Sequence, residues 1–329
     1  MKKELAIVLP AWKSNFLEKS LQSLENQTSP DFSLYIFDDT GPPELFGIIA
    51  PFLQRNPGWQ YKRFDSNLGG ENLAAHWNRC IRLTEGDWIW LFSDDDEMEP
   101  DCVKAFHASR KEFPSHQVYR FPFSMVDEKG EDLPVKSFTG QVLSGTEFGR
   151  LRFLRLLDSS AVEFIFSRES FENQGGFPEF PAGWCADDAA WISFSGNAGI
   201  RCMEKAGVRW RWSPMSISGS GGKWTKRKLE AAIAFIKWYN ATFPEVKFDN
   251  SLLAEQVIWL RLQMVHAHHL PGFFDVLGMI RQLEISGISN RLRCFQDLFC
   301  LSYVYHQQVV LQKNPSGIRY WLSLILPAY

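Results

Sequence analysis

The sequence contains no long apolar run. No stretch approaches the roughly 18 consecutive apolar residues that a membrane-spanning helix needs. Cysteine is sparse: six residues (Cys80, Cys102, Cys185, Cys202, Cys294 and Cys300) lie scattered, with no CxxC pair. That excludes a zinc ribbon and a disulfide framework, and it reads as the reduced thiols of a cytosolic protein. Neither sign of charge is in clear excess. Lys plus Arg is 35 and Asp plus Glu is 38, a net charge of -3, which argues against a nucleic-acid binder working through a basic surface. No GxGxxG follows the first strand-like run, which counts against a dinucleotide-dependent oxidoreductase. "PAWKSNF" is also not the glycine-rich basic loop of a nucleotidyltransferase. The opening "MKKELAIVLPAW" lacks a small-residue cleavage site. Its apolar run is short and bracketed by Glu4 and Pro10, so it reads as a buried strand and not as a signal peptide.

Apolar residues are plentiful. Hydrophobic residues make up 45% of the chain, enough to bury one large core or two medium ones. "LAIVLP" (5–10) is a continuous apolar run, as in a strand buried on both faces. Segment 15–27 carries Phe16, Leu17, Leu21 and Leu24 at helical spacing. Strand-like "FSLYIFDD" (32–39) precedes a short helix over 42–56 that Pro51 is expected to break. Then come an alternating strand (59–66), a helix (72–86) stopping at Gly86, and the strand "DWIWLFS" (87–93). This alternation predicts an α/β fold: a mostly parallel central sheet flanked by helices, joined by right-handed crossovers. Ligands of such sheets bind at the carboxyl ends of the strands. Three polar motifs fall there: "PAWK" (10–13), "DDT" (38–40) and "SDDD" (93–96).

Three adjacent aspartates need an explanation. Like charges about 4 Å apart repel by roughly 4 kcal/mol at an effective dielectric near 20. The cluster is tolerable if a cation sits among the carboxylates or if they remain solvated. Hard carboxylate oxygens in a cleft suit Mg²⁺ or Mn²⁺, which take further ligands from water and phosphate. The alternative is a solvated loop capping a helix that begins near Pro100, with Glu97 and Glu99 at its positive end. That alternative leaves the second acidic pair, Asp38-Asp39, unexplained.

"IVLPAWK", "LQSLENQT", "YIFDDT", "NLGGEN" and "EGDWIWLFSDDDEMEPD" run in the order and spacing of glycosyltransferase family 2, which the chain resembles strongly over 4–105 and more weakly over 160–220. The resemblance implies a GT-A fold and inverting transfer of a sugar from a nucleotide diphosphate. It places Pro10, Ala11 and Trp12 beside the nucleotide, the indole replacing a tyrosine ring. Lys13 stands where relatives carry an amide and can reach phosphate instead. Asp39 corresponds to the aspartate that contacts the base, and Asn67 and Gly69 to the Asn-x-Gly segment near the nucleotide. Asn72 matches a second asparagine of some relatives. Counting back from Pro100, Asp95 falls on the metal ligand. Ser93 stands where the first aspartate often sits, so Asp94 is expected to serve ribose or metal, with Asp96 as a further ligand. The implied cofactor is Mn²⁺ or Mg²⁺.

The same resemblance covers "GGFPEFPAGWCADDAAW" (175–191), where Asp187-Asp188 replaces a Glu-Asp pair opening a helix. Asp188 matches the usual base, with Asp187 the second choice; either can instead cap the helix. Trp184 and Trp191 flank the pair and either line a sugar site or sit in the core. "WRWSPMSISGSGGKWTKRK" (210–228) resembles a mobile donor loop, with Lys223, Lys226 or Arg227 meeting diphosphate; a flexible linker is the alternative. Residues 1–228 are thus expected to form the GT-A domain, with 1–105 its nucleotide-binding half and 106–228 its acceptor half. Residues 229–329 read as helices, over 229–243, 252–269 and 291–312. His266, His268 and His269 read as a helix end and not as a metal site. The aromatic, slightly basic tail suits peripheral membrane contact, packing on the core or a homodimer face.

The expected function is metal-dependent transfer from a nucleotide-diphosphate sugar, with a UDP-sugar as the expected donor, to a glycan or lipid-linked acceptor in surface polysaccharide synthesis. The expected location is the cytoplasm, at the inner face of the membrane where the tail makes contact. A non-catalytic sugar-binding scaffold of the same fold and a nucleotidyltransferase are the alternatives; no nucleic-acid partner is expected.

Overall fold

The computed structural model describes residues 3–213, 216–219, 224–244, 250–266, 273–283 and 298. The chain divides into two compact units, Met1–Ser220 and Gly221–Tyr329. The first begins with the expected alternation: β1 (Leu5–Ala11), α1 (Leu17–Glu25), β2 (Phe32–Asp38), α2 (Glu44–Arg55), β3 (Gln60–Arg63), α3 (Leu73–Arg82) and β4 (Trp88–Leu91). It continues through β5 (Glu97–Met98), α4 (Cys102–Glu112), β6 (Val118–Arg120), β7 (Phe123–Val126), β8 (Asp132–Leu133) and β9 (Val142–Leu143). α5 (Gly145–Phe153), β10 (Phe164–Ser167), α6 (Arg168–Asn173), α7 (Ala186–Phe194), β11 (Ile200–Cys202) and β12 (Val208–Arg211) complete it.

The main sheet has the strand order β3-β2-β1-β4-β10-β6-β11-β9. β3, β2, β1 and β4 are parallel. β10 runs against both of its neighbours, β4 and β6, so the sheet is mixed, with the half built from β1 to β4 parallel. A second sheet has the order β5-β12-β7-β8. From β1 the chain winds outward through β2 to β3, then returns to place β4 on the other side of β1. The gap beyond the carboxyl ends of β1 and β4 is therefore a topological switch point, where such sheets bind ligands.

Local physics accounts for these elements. β1 is buried along nearly its whole length, as a central parallel strand must be. α1 buries Leu17, Leu21 and Leu24 on one stripe. α2 corrects an expectation: it runs unbroken from Glu44 to Arg55 with Pro51 inside it. Pro51 lies on the exposed face, while Leu45, Ile49 and Phe52 anchor both halves of the helix to the core. Packing of that apolar stripe outweighs the one lost backbone bond. β4 reaches the site through a rigid base. Trp90 is fully buried, stacks on Phe121 at 4.6 Å and donates its indole N–H to the Val162 carbonyl at 2.7 Å.

In the second unit, α8 (Thr225–Thr242) and α9 (Asn250–His266) match two of the expected helices, and α10 (Phe273–Gln282) follows. α9 ends at His266. His268, His269, nearly all of the expected 291–312 helix and the 317–329 tail lie outside the described residues. Among the described residues no helix is long and apolar enough to cross a membrane.

Trp90→Ala should cost about 3–5 kcal/mol, the usual range for deleting a large buried aromatic. Trp90→Phe should cost less, because it keeps most of the stack. Urea unfolding of the two variants measures the difference.

Candidate active site

β1 and β4 are joined at their carboxyl ends by one carboxylate. Asp94 Oδ2 accepts the backbone N–H of Trp12 at 2.7 Å and of Lys13 at 2.6 Å. Its Oδ1 lies 3.3 Å from the Lys13 ammonium, which also bonds Asp95 Oδ2. Asp95 Oδ1 takes the Ser93 hydroxyl at 2.7 Å, and Asp96 Oδ1 takes the Arg211 N–H at 2.7 Å. All three aspartates are buried. Burial pushes the carboxyl of Asp94 up from its ordinary value against the pull of Lys13, and it pushes Asp96 well up, with Asp95 adding to the effect. Burial opposes the charge on Lys13, yet Asp94 and Asp95 together hold its pKa above the ordinary lysine value. From below, the Arg211 side chain bonds the Asp95 carbonyl, the Asp127 carbonyl and Glu97, and it lies 4.4 Å over the Phe16 ring. Pro10 is half-buried and Ala11 is buried, whereas Trp12 is 48% exposed and presents a free indole face at the strand end.

The second acidic pair builds the neighbouring wall. Asp38 accepts the Gly41 N–H at 2.8 Å, the Tyr61 hydroxyl at 2.7 Å and the Arg63 guanidinium. That is a structural role: it holds the turn through Thr40, whose φ of 56° is left-handed. Asp39 reaches the next loop. Its Oδ1 accepts Leu68 N–H at 3.0 Å and Arg79 at 2.6 Å; its Oδ2 accepts Gly69 N–H at 2.7 Å. His76 lies 3.5 Å from Oδ1, and burial lowers its pKa to about 4, so the neighbour is a neutral imidazole. Asn67 Nδ2 donates to the Asp39 carbonyl at 3.0 Å. A Cβ on Gly69 would stand 2.8 Å from Asp39 Oδ2, which is why only glycine fits there. A carboxylate has about four acceptor sites. Three are engaged here, so one remains.

Asn72 caps α3 by accepting Ala75 N–H at 3.1 Å and donates to Glu179 at 2.9 Å. Through that bond the loop before α3 is tied to the segment leading to the acid pair. That segment is strained: Ala182 (φ 60°) and Cys185 (φ 61°) are non-glycine residues in the left-handed region. Each costs of order 1–3 kcal/mol, a strain typical of functional sites. α7 then opens with Asp187 and Asp188 in its first turn. Asp188 is buried, and both its oxygens pair with Arg152, at 2.9 and 3.1 Å. Asp187 is half-buried and has a pKa of about 7, raised chiefly by burial and then by the charge of Asp188. Trp191 is a core residue, stacked on Phe164 at 4.4 Å, while Trp184 is half-buried.

The aspartate cluster as arranged does not fit a divalent ion. Lys13, Ser93 and backbone amides hold both oxygens of Asp94 and of Asp95 and one of Asp96. Among the described residues no group of three or more His, Cys, Asp or Glu side chains is disposed to hold a metal. Of the basic loop residues, Lys223 lies outside the described residues. Lys226 is exposed, 3.9 Å from Glu230, and Arg227 lies 5.2 Å over Trp224. Sequence patterns did not point to Arg152, Arg211, Glu179 or Arg79 as partners. The Ser144-x-x-Glu147 signature, with Ser144 capping α5 at 3.1 Å, is the one local signal that marks the helix carrying Arg152.

The sequence model of glycosyl transferase family 2 matches residues 6–175. The match covers the aspartate cluster but not the Asp187-Asp188 pair. The chain is 21% identical over 179 residues to the GalNAc(5)-diNAcBac-PP-undecaprenol beta-1,3-glucosyltransferase of Campylobacter jejuni. That alignment covers 54% of this chain and 56% of the relative, so the chain spans only about half the length of this curated protein. Among solved structures, S. aureus TarS 1–349 in complex with UDP-GlcNAc superposes with a TM-score of 0.63 at 15% identity, over 94% of this chain and 92% of that one. The TarS complex with UDP gives 0.56 at 14% identity, with the same coverage. At these identities the likeness shows a shared fold, and it agrees with the mixed α/β architecture expected.

Gly69→Ala should release the 67–70 loop from Asp39. Losing a charge-assisted bond of about 1.5–3 kcal/mol corresponds to about 10- to 150-fold faster exchange of the Leu68 and Gly69 amides. Hydrogen exchange read at those two residues checks this.

Proposed function

The chain belongs to glycosyltransferase family 2, and from that premise we propose that it transfers a sugar from a UDP-sugar to a glycan or lipid-linked acceptor with inversion at the anomeric carbon. The observation that carries this reading is the Asp94 latch at the switch point, which holds Trp12 and Lys13 at the end of β1, with the Asp39 backbone N–H donating to the Ala11 carbonyl at 2.9 Å beside them. The exposed Trp12 indole offers the base a flat face. The remaining acceptor site on Asp39 suits the imide N–H of uracil. The C. jejuni relative is named as acting on an undecaprenol-linked glycan, and TarS was solved with UDP-GlcNAc; both support the donor and acceptor classes.

In the proposed reaction, an acceptor hydroxyl oxygen attacks the anomeric carbon. The bond from that carbon to the diphosphate oxygen breaks, and its electron pair leaves with UDP. The hydroxyl proton passes to Asp187. Asp187 is preferred over Asp188 because the Arg152 guanidinium already occupies both oxygens of Asp188. A base near pH 7 is well matched to its task. Asp188 then positions α7 through Arg152.

The test is UDP release from UDP-GlcNAc and UDP-glucose by the full chain, with the product anomer read by NMR. No turnover or hydrolysis of any nucleotide sugar, with no nucleotide binding, overturns the reading.

Asp187→Asn should lower turnover about 10²- to 10⁴-fold with UDP binding retained. Asp188→Asn should instead lower the melting temperature, since breaking a buried pair costs about 3–5 kcal/mol. Wild-type turnover should rise with pH through about 7, as Asp187 loses its proton. The stability sign is opposite. A carboxyl raised from 3.8 to about 7 holds its proton more tightly when folded, so stability is lost as pH rises through about 7. Asp187→Asn should therefore melt higher than wild type at pH 8.

A further inference from the structure

We infer that the ammonium of Lys13 is the resident cation of the aspartate cluster, so that this transferase binds its nucleotide diphosphate without a free divalent ion. The inference rests on the transferase reading above and concerns the same crevice. Three observations carry it.

The first is contact. Lys13 Nζ bridges Asp94 and Asp95, the two carboxylates at the mouth of the switch point. A divalent ion on Asp95 would have to take that place. The second is tethering. The Lys13 backbone N–H is held by Asp94 Oδ2 at 2.6 Å, so its Cα is fixed beside the cluster. An ammonium displaced from the carboxylates stays within a side chain's reach of the incoming ion, and like charges then repel across a partly desolvated gap. The third is that both oxygens of Asp94 and of Asp95, and one oxygen of Asp96, already hold donors. Asp94 Oδ2 holds two amides, Asp95 Oδ1 holds the Ser93 hydroxyl and Asp96 Oδ1 holds the Arg211 amide. Hard ions need several free oxygens, and the cluster offers an ammonium instead.

The side chain of Lys13 is 18% exposed, enough to meet a ligand while keeping its carboxylate contacts. An ammonium supplies three donors and a point charge, a chemistry suited to phosphate oxygens. Lys13 is therefore assigned a diphosphate contact, and the aspartates serve to hold it there.

The experiment uses the full chain as wild type, Lys13→Asn and Lys13→Arg, with Mn²⁺ alone and UDP alone as probes in calorimetry. Wild type should bind UDP equally in EDTA and with Mn²⁺, and should not bind Mn²⁺ by itself. Lys13→Asn should lose about tenfold or more of its metal-free UDP affinity, the usual scale of a charge-assisted bond. It should also gain Mn²⁺ binding. Lys13→Arg keeps a cation and should keep metal-free UDP binding, which guards against misreading an Asn variant that fails to fold. Mn²⁺ binding to wild type that is lost in Asp95→Asn overturns the inference, as does UDP binding that vanishes in EDTA. If no nucleotide binds at all, the transferase reading falls, and the Mn²⁺ arm still decides what occupies the cluster.

Discussion

The site depends on one carboxylate accepting two backbone amides across a strand gap. Asp94, at the end of β4, takes the N–H groups of Trp12 and Lys13, at the end of β1. Parallel neighbours at a switch point diverge, and their last amides have no ladder partner there. A buried aspartate satisfies both amides at once and stabilises its own charge by the same bonds. The same junction keeps the Lys13 backbone beside Asp95, whose carboxylate the ammonium also meets, while Asp96 is held by Arg211 from the second sheet.

Two further carboxylates repeat the logic at longer range. Asp39 holds the 67–70 loop by its amides, with Arg79 balancing its charge. Asp188 holds Arg152, and strained residues at 182 and 185 aim the start of α7. Each buried charge has a partner, as buried ions require. For the half-buried Asp187, burial and the charge of Asp188 outweigh Arg152 and the backbone amides, and that environment pushes its carboxyl toward neutral pH. A group left under-compensated among well-paired neighbours is what proton transfer needs.

Much of this was legible from local pattern. The alternation of apolar runs predicted the order from β1 to β4, and it put the polar motifs at the carboxyl ends of neighbouring strands, where the fold has them. Asp187-Asp188 at a helix start and glycine at position 69 were also readable, because both rest on short-range geometry. The expectation failed at Pro51, where tertiary packing of α2 overrode a local breaker. Patterns also suggested an ion among the aspartates, whereas the folded chain brings Lys13 among them.

The sequence by itself determined the α/β class, the family and the residue types at each strand end, since these depend on periodicity and on neighbours in the chain. Only the tertiary structure decided which charge meets which. Lys13 lies 81 residues from Asp94, Asn72 lies 107 from Glu179 and Arg152 lies 36 from Asp188. Pairs that far apart are joined by sheet order and helix packing, and no local period records them. Whether an acidic cluster recruits a metal or holds its own lysine therefore depends on where the fold delivers one ammonium.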